Sequence, residues 1–368
     1  MSQSSKSLSQ ILGDWADKQQ PTSAQLEQMA FWELEDRRRA IAFGITPENV
    51  AEVVKARSLA YAALMGGSRL LQYVCSVPVE NSTIPQSYSP LALETLWKLW
   101  LPLAMQLAES RKKLGRPLVQ GILGGQGTGK TTLAAIVTVI LSHLGYRALS
   151  LSLDDLYKTY SERLALKEQD PRLIWRGPPG THDIGMGIEV LDQLRQHKPG
   201  LQIKVPRFDK SAWGGAGDRR SPEVVENVDI VLFEGWFVGV RPINPNLFDD
   251  APPPILTEAD RSFARDMNGR LQDYLPLWER LDRLTILYPV DYRLSKQWRR
   301  QAEQQMIATG LSGMTDAMVD EFVEYFWKAL HPDLFIKPFT TNPRFVELAI
   351  EINPDHSLGK VYRPGDRV

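Results

Sequence analysis

A chain of 368 residues can bury one large core or two smaller ones, so its length predicts a main domain with a sizeable addition. A hydrophobic fraction of 43% and a charged fraction of 24% exclude a disordered chain and a fibrous repeat. The net charge of -1 supplies no overall field for a polyanion, which argues against nucleic acid as a partner but leaves room for a local basic pocket.

The first twenty residues are polar and serine-rich and lack the apolar run of a secretion signal, and Asp14 and Asp17 argue against a transit peptide. They read as a flexible start to a cytoplasmic protein. The single cysteine, Cys75, has no partner for a disulfide or a thiolate cluster, which fits a reducing compartment. The spacing of Leu26, Met29, Ala30, Trp32 and Leu34 predicts a helix over 25–40, closing on a Glu-Asp-Arg-Arg-Arg run expected to face solvent. Thr46-Pro47 and Ser89-Pro90 each pair a capping side chain with a proline suited to the first helical position, predicting two more helices. The second of these, about 91–107, is apolar nearly all round and should be buried against the next domain. It holds Glu94 and Lys98 and is too short to cross a bilayer, and Pro102 should kink or break it. Residues 1–115 thus form an N-terminal helical region.

From residue 116 to 368 short apolar runs alternate with helical segments, the pattern of an α/β domain around a parallel sheet. Candidate strands are 118–123, 148–153, 202–205, 230–233 and 284–287. A stretch rich in Pro, Asn and Asp at 240–256 reads as an irregular surface insertion. Helices are expected at 258–275, 293–308 and 316–330, and 344–352 is a candidate for a last strand.

Between the first strand and a helix lies Gly124-Gly125-Gln126-Gly127-Thr128-Gly129-Lys130-Thr131, which matches G-x-x-x-x-G-K-[ST]. The glycines let backbone N–H groups turn inward on phosphates, and the helix that follows, through Thr132 and beyond, points its positive end at the same place. Lys130 should reach the β- and γ-phosphates, and Thr131 should offer its hydroxyl to Mg2+. No N-K-x-D guanine signature is present, so ATP is the expected nucleotide. ATPases, motors and kinases share such a loop, and other residues must decide among them.

The second strand ends in Ser152-Leu-Asp154-Asp155-Leu-Tyr157, placing two carboxylates where open parallel sheets put their ligands. Phosphoryl transfer to a hydroxyl needs a carboxylate that orients the alcohol and takes its proton. One aspartate fits that role and the other fits helix capping or a metal contact. The run ending at Glu234-Gly-Trp has the form of a Walker B segment, with Glu234 at the magnesium shell. Arg176, His182, Arg207, Lys210 and Arg219 fall in glycine-rich polar loops near the phosphate site and suit an anionic acceptor, although any one of them could be an ordinary surface charge. Arg293, Arg299 and Arg300 lie on the helix at 293–308, either as lid residues on the nucleotide or as a solvated face.

The ordered set GGQGTGKTT, SLDDLY, RGPPGTHD, KVPRFDKSAWGGAGDR and VLFEGW resembles the phosphoribulokinase/uridine kinase group of P-loop kinases, and within it the plant and cyanobacterial type of D-glycerate 3-kinase. The likeness covers about residues 117–340. It implies a kinase-type P-loop fold with a five-stranded parallel core, a mobile lid at about 290–305, and phosphorylation of D-glycerate to 3-phosphoglycerate by ATP. In a photosynthetic organism that step returns photorespiratory carbon to central metabolism. The resemblance makes Asp154 the base. It also implies an acceptor pocket built from the RGPPGTHD and PRFDK segments, with Arg176, His182 and Asp183 from the first and Arg207, Asp209 and Lys210 from the second; Asp155, Tyr157 and Arg219 are further candidates for binding the acceptor. Ser295-Lys-Gln-Trp-Arg-Arg is a looser match to the family lid.

Overall fold

The computed structural model of the chain describes residues 6–68, 71, 74, 88–196, 198, 200–308, 310 and 313–366. Cys75 lies outside them. Eight strands occur among the described residues: β1 (Leu118–Gly124), β2 (Ala148–Ser152), β3 (Ile203–Asp209), β4 (Asp218–Val225), β5 (Ile230–Gly235), β6 (Arg283–Pro289), β7 (Leu348–Ile352) and β8 (Leu358–Tyr362). Six of them form the main sheet in the order β2-β5-β1-β6-β7-β8. The first five in that order run parallel, and β8 is antiparallel to β7. β1 and β5 are buried along their whole length, as parallel strands covered on both faces must be.

The segment predicted at 202–205 is not a strand of this sheet. Here β3 pairs antiparallel with β4 in a separate two-stranded ribbon. Lys204, Arg207 and Asp209 could not be buried on both faces of a parallel sheet, and the glycine-rich turn before Asp218 sends the chain straight back as a hairpin. The fifth parallel position is filled by β7, the candidate at 344–352.

Within the start expected to be flexible, the described residues from Lys6 on are ordered against the core. Leu8–Ala16 is a helix opened by a Ser7–Gln10 capping box, and it buries Ile11, Leu12, Trp15 and Ala16. The helix expected over 25–40 is split at Asp36 into Ser23–Glu35 and Arg37–Ala42. Its charged run is only partly solvated, because Arg39 is buried against Glu33. Pro102 does not end its helix: the turn before it, Leu96–Trp100, widens to a π-helix, and α-helix resumes over Leu101–Leu114.

Trp15, Tyr61 and Trp97 of the helical layer share one continuous core with Leu118 and Ile122 of β1, Ile230 and Leu232 of β5, and Ile350 of β7. The opposite sheet face, with Val119, Leu123, Val231 and Phe233, packs under the later helices. Strand alternation separates the two cores. The helical layer therefore closes one face of the sheet and leaves the carboxyl ends of its strands open for a site.

Candidate active site

The loop after β1 is shaped for phosphate. Gly127 and Gly129 sit at φ 76° and 84°, where a side chain would be strained, and a Cβ at Gly124 would come within 2.6 Å of Thr128 Oγ1. The helix Lys130–His143 starts directly at the loop. Lys130 folds back and donates from Nζ to the Gly125 carbonyl at 2.9 Å, and the Thr128 hydroxyl donates to the same carbonyl at 2.9 Å. Burial lowers the Lys130 pKa, while the charges of Glu234 and Asp154 oppose that effect.

Sheet register brings those carboxylates together. Glu234 stands beside Ile122 on one side and Ser152 on the other, and its Oε1 accepts from the Thr131 hydroxyl at 3.2 Å. Past Ser152 the chain makes a 3-10 turn over Leu153–Leu156. Within it the two aspartates part company. Asp155 accepts from the Ser152 N–H at 3.0 Å, from Arg207 Nη1 at 2.9 Å and from the Phe208 N–H at 3.2 Å, so both its oxygens hold the ribbon to the sheet. Asp154 instead meets Lys210 Nζ at 2.6 Å and the Tyr157 hydroxyl. Burial raises its carboxyl, but Lys210 and Tyr157 outweigh that and leave it below the usual range.

The basic cluster is less available than its composition implies. Arg207 is spent on Asp155 and Glu223. Arg219 is spent on Asp183 at 2.9 Å and on the Tyr157 carbonyl, while Asp183 also caps the helix Ile184–Leu194. Asp209 is turned to Ser211. His182 is no cation: burial takes its pKa down to about 3, with Asp154 opposing, and its ring stacks on Tyr157 at 4.6 Å. The expectation of a charged histidine is therefore corrected. Arg176 bonds the carbonyls of Gly215 and Ala216 through Nη1, its Nε and Nη2 edge has no hydrogen-bond partner among the described residues, and its guanidinium lies 6.0 Å from the Tyr157 ring centre.

No protein-family model matches the chain. The chloroplastic D-glycerate 3-kinase of Arabidopsis thaliana is 30% identical over 330 residues, covering 85% of this chain and 69% of that protein. An uncharacterized kinase of Schizosaccharomyces pombe is 31% identical over 228 residues, 60% of this chain and 82% of that one. A solved D-glycerate 3-kinase from Cryptococcus neoformans superimposes with a TM-score of 0.65 at 26% identity, covering 72% of this chain and 99% of that structure. The chain belongs to the D-glycerate 3-kinase family. It is a P-loop kinase that uses ATP, built on a mostly parallel α/β sheet.

In this glycerate kinase family member the helix Leu294–Ala308 stands over the phosphate loop, and the residue that meets the loop is Trp298. A Cβ on Gly127 would lie 2.9 Å from the Trp298 Cβ. Arg299, expected on the nucleotide, is paired with Glu303 at 2.6 Å, Arg300 with Asp320 at 2.5 Å and Arg293 with Asp291 at 3.3 Å. An i,i+4 carboxylate answers Arg299 more cheaply than a reach across to the loop. Sequence reasoning also missed Arg163, which donates to the carbonyls of Lys158, Ala216 and Gly217, and Tyr274, which binds His182. Neither lies in a glycine-rich segment, so no local signal marked them. No helix of the described residues is long and apolar enough to cross a membrane.

Proposed function

We propose that this kinase transfers the terminal phosphoryl group of ATP to the 3-hydroxyl of D-glycerate, giving ADP, 3-phosphoglycerate and a proton. The observation that carries the reading is the contrast between the two aspartates: Asp155 has both oxygens bound in the scaffold, while Asp154 pairs with the largely exposed Lys210 and lies within the electrostatic reach of Lys130. Asp154 then takes the hydroxyl proton as the new O–P bond forms. The loop N–H groups and Lys130 hold the phosphates and answer the charge that develops on them. The donor set fits a hard cation: Thr131 and Glu234 offer oxygens at the loop, and bound Mg2+ there would draw its remaining ligands from phosphate and water. Arg176 presents its open guanidinium edge to the acceptor carboxylate.

Two D-glycerate 3-kinases among its relatives support this acceptor. The decisive experiment is an ADP-release assay on purified protein across D-glycerate, glycerol, pantothenate, uridine and ribulose 5-phosphate. D-glycerate should dominate. Glycerol, which keeps the hydroxyls and loses the carboxylate, should be a very poor acceptor, and turnover of glycerol or uridine as fast as D-glycerate would reject the anionic-acceptor reading.

A further inference from the structure

A cavity of about 170 Å³ opens where the helical layer, the segment before β7 and the segment after β8 meet, lined by Arg38, Thr340, Thr341, Tyr362, Arg363 and Asp366 among others. Arg38 comes from the helix Arg37–Ala42, the threonines from the 3-10 turn Lys337–Thr341, and the rest from the end of β8 and the chain that leaves it. Tyr362 pairs with Ala349 near the amino end of β7, and β8 stands three strands from β1, about 14 Å across the sheet. The cavity shares no residue with the phosphate loop or the candidate acceptor pocket. Its charges are unpaired: among the described residues neither Arg38 nor Arg363 has a carboxylate within ion-pair distance, and Asp366 has no cation there. Two guanidiniums and one carboxylate thus line a single small space without meeting. Arg363 is anchored by its Nε, which donates to the Ala42 carbonyl at 3.1 Å, and its two Nη atoms have no hydrogen-bond partner among the described residues. A guanidinium fixed at one nitrogen and open at the others is preorganised for an oxyanion. The Thr340 and Thr341 hydroxyls donate to the Lys337 and Pro338 carbonyls of their own turn and have no proton to spare for a ligand.

We propose that this cavity binds inorganic phosphate, with oxygens taken by Arg38 and Arg363 and a P–O–H donated to Asp366. The carboxylate makes the choice among anions of like shape. It repels a bare oxyanion, but near neutral pH inorganic phosphate keeps a proton to give it, whereas sulfate has none and a phosphate monoester, with a second pKa of about 6, has mostly lost its own. Bound phosphate ties the helix Arg37–Ala42 to the segments on either side of the β7–β8 edge, fastening the helical layer to the sheet well away from the phosphate loop. The site is independent of which acceptor the kinase phosphorylates.

Isothermal titration of the full chain with inorganic phosphate, at about pH 7 and fixed ionic strength, tests this when a non-hydrolysable ATP analogue already fills the phosphate loop. One phosphate should bind per chain. Arg38→Met removes an exposed side chain with no ion-pair partner among the described residues, so the variant should fold and keep its kcat, yet bind phosphate about tenfold to a hundredfold more weakly. Arg363→Met should weaken binding as much; it also loses the Ala42 contact, and if it fails to fold, Arg38→Met still decides. Arg37→Met, one residue away and outside the cavity, removes the same charge and should leave the affinity within about twofold. Sulfate and 3-phosphoglycerate should each bind at least about tenfold more weakly than phosphate, and Asp366→Asn should narrow the gap for sulfate. Phosphate affinity in Arg38→Met within about twofold of wild type, an equal loss in Arg37→Met, or sulfate or 3-phosphoglycerate binding as tightly as phosphate would overturn the proposal.

Discussion

Glu33 in the helical layer and Asp154 beside the phosphate loop have the same kind of company: basic side chains and one aromatic donor. Glu33 meets Arg39 and Arg57, each at 3.0 Å, and accepts from the Trp97 indole at 2.8 Å, with every member buried. Asp154 meets Lys210 and the Tyr157 hydroxyl, but Lys210 is 63% exposed. Burial raises both carboxyls, and in both the partners outweigh it. What separates the two is whether a partner can leave. The guanidiniums around Glu33 have nowhere to go, which makes that cluster architecture, whereas the lysine on Asp154 can give way to a substrate hydroxyl.

Removing each carboxylate should therefore fail in opposite ways. Asp154→Asn should lower kcat by about 10²–10⁴-fold, with little change in ATP affinity or melting temperature. Steady-state kinetics beside a thermal melt would check this. Comparable activity in Asp154→Asn, or a larger loss in Asp155→Asn, would mean that the base has been misassigned. Glu33→Ala strands two buried arginines and should cost about 3–5 kcal/mol of stability in denaturant titration, while the folded fraction keeps its kcat. If Glu33→Ala instead lowers kcat at unchanged stability, the division between architecture and chemistry collapses.

The same contrast shows what the amino-acid pattern could reveal. The phosphate loop was legible because its residues are contiguous and each glycine has a local reason, as the left-handed Gly127 and Gly129 show. Glu234 was legible as the acid ending an apolar strand. Buried Arg39 was not, because the Trp97 that completes its cluster lies far along the chain and only packing joins them. Choosing between Asp154 and Asp155 from spacing alone was impossible: adjacent and alike, they differ in that the ribbon reaches Asp155 through Arg207 and Phe208. The ribbon itself was misread because a short apolar run in a hairpin resembles one in a sheet.

A smaller effect tests which arginine meets the acceptor. Arg176→Met should raise the D-glycerate KM by about tenfold to a hundredfold, equivalent to about 1.5–3 kcal/mol for a charge-assisted contact. Arg207→Met, which loses pairs with Asp155 and Glu223, should show first as lower stability. Isothermal titration with D-glycerate beside a thermal melt separates the two, and the opposite ranking would assign the carboxylate to Arg207 instead of Arg176.

The smallest effect concerns Lys210, the partner whose freedom distinguishes Asp154 from Glu33. The proposed base, Asp154, works only when ionised, so activity should fall as pH drops through its folded pKa. That pKa is lowered, because Lys210 and Tyr157 together outweigh the burial that raises it, and the acid limb should lie below the ordinary carboxylate range. Lys210→Met removes the cation and leaves the burial, so the acid limb of kcat/KM should move to higher pH. The Lys210 ammonium is largely exposed and screened by water, which keeps the shift modest. Comparing variant with wild type cancels the titration of the substrate carboxyl, which is common to both. A pH–rate profile with an unmoved acid limb would show that Lys210 does not set the charge on Asp154.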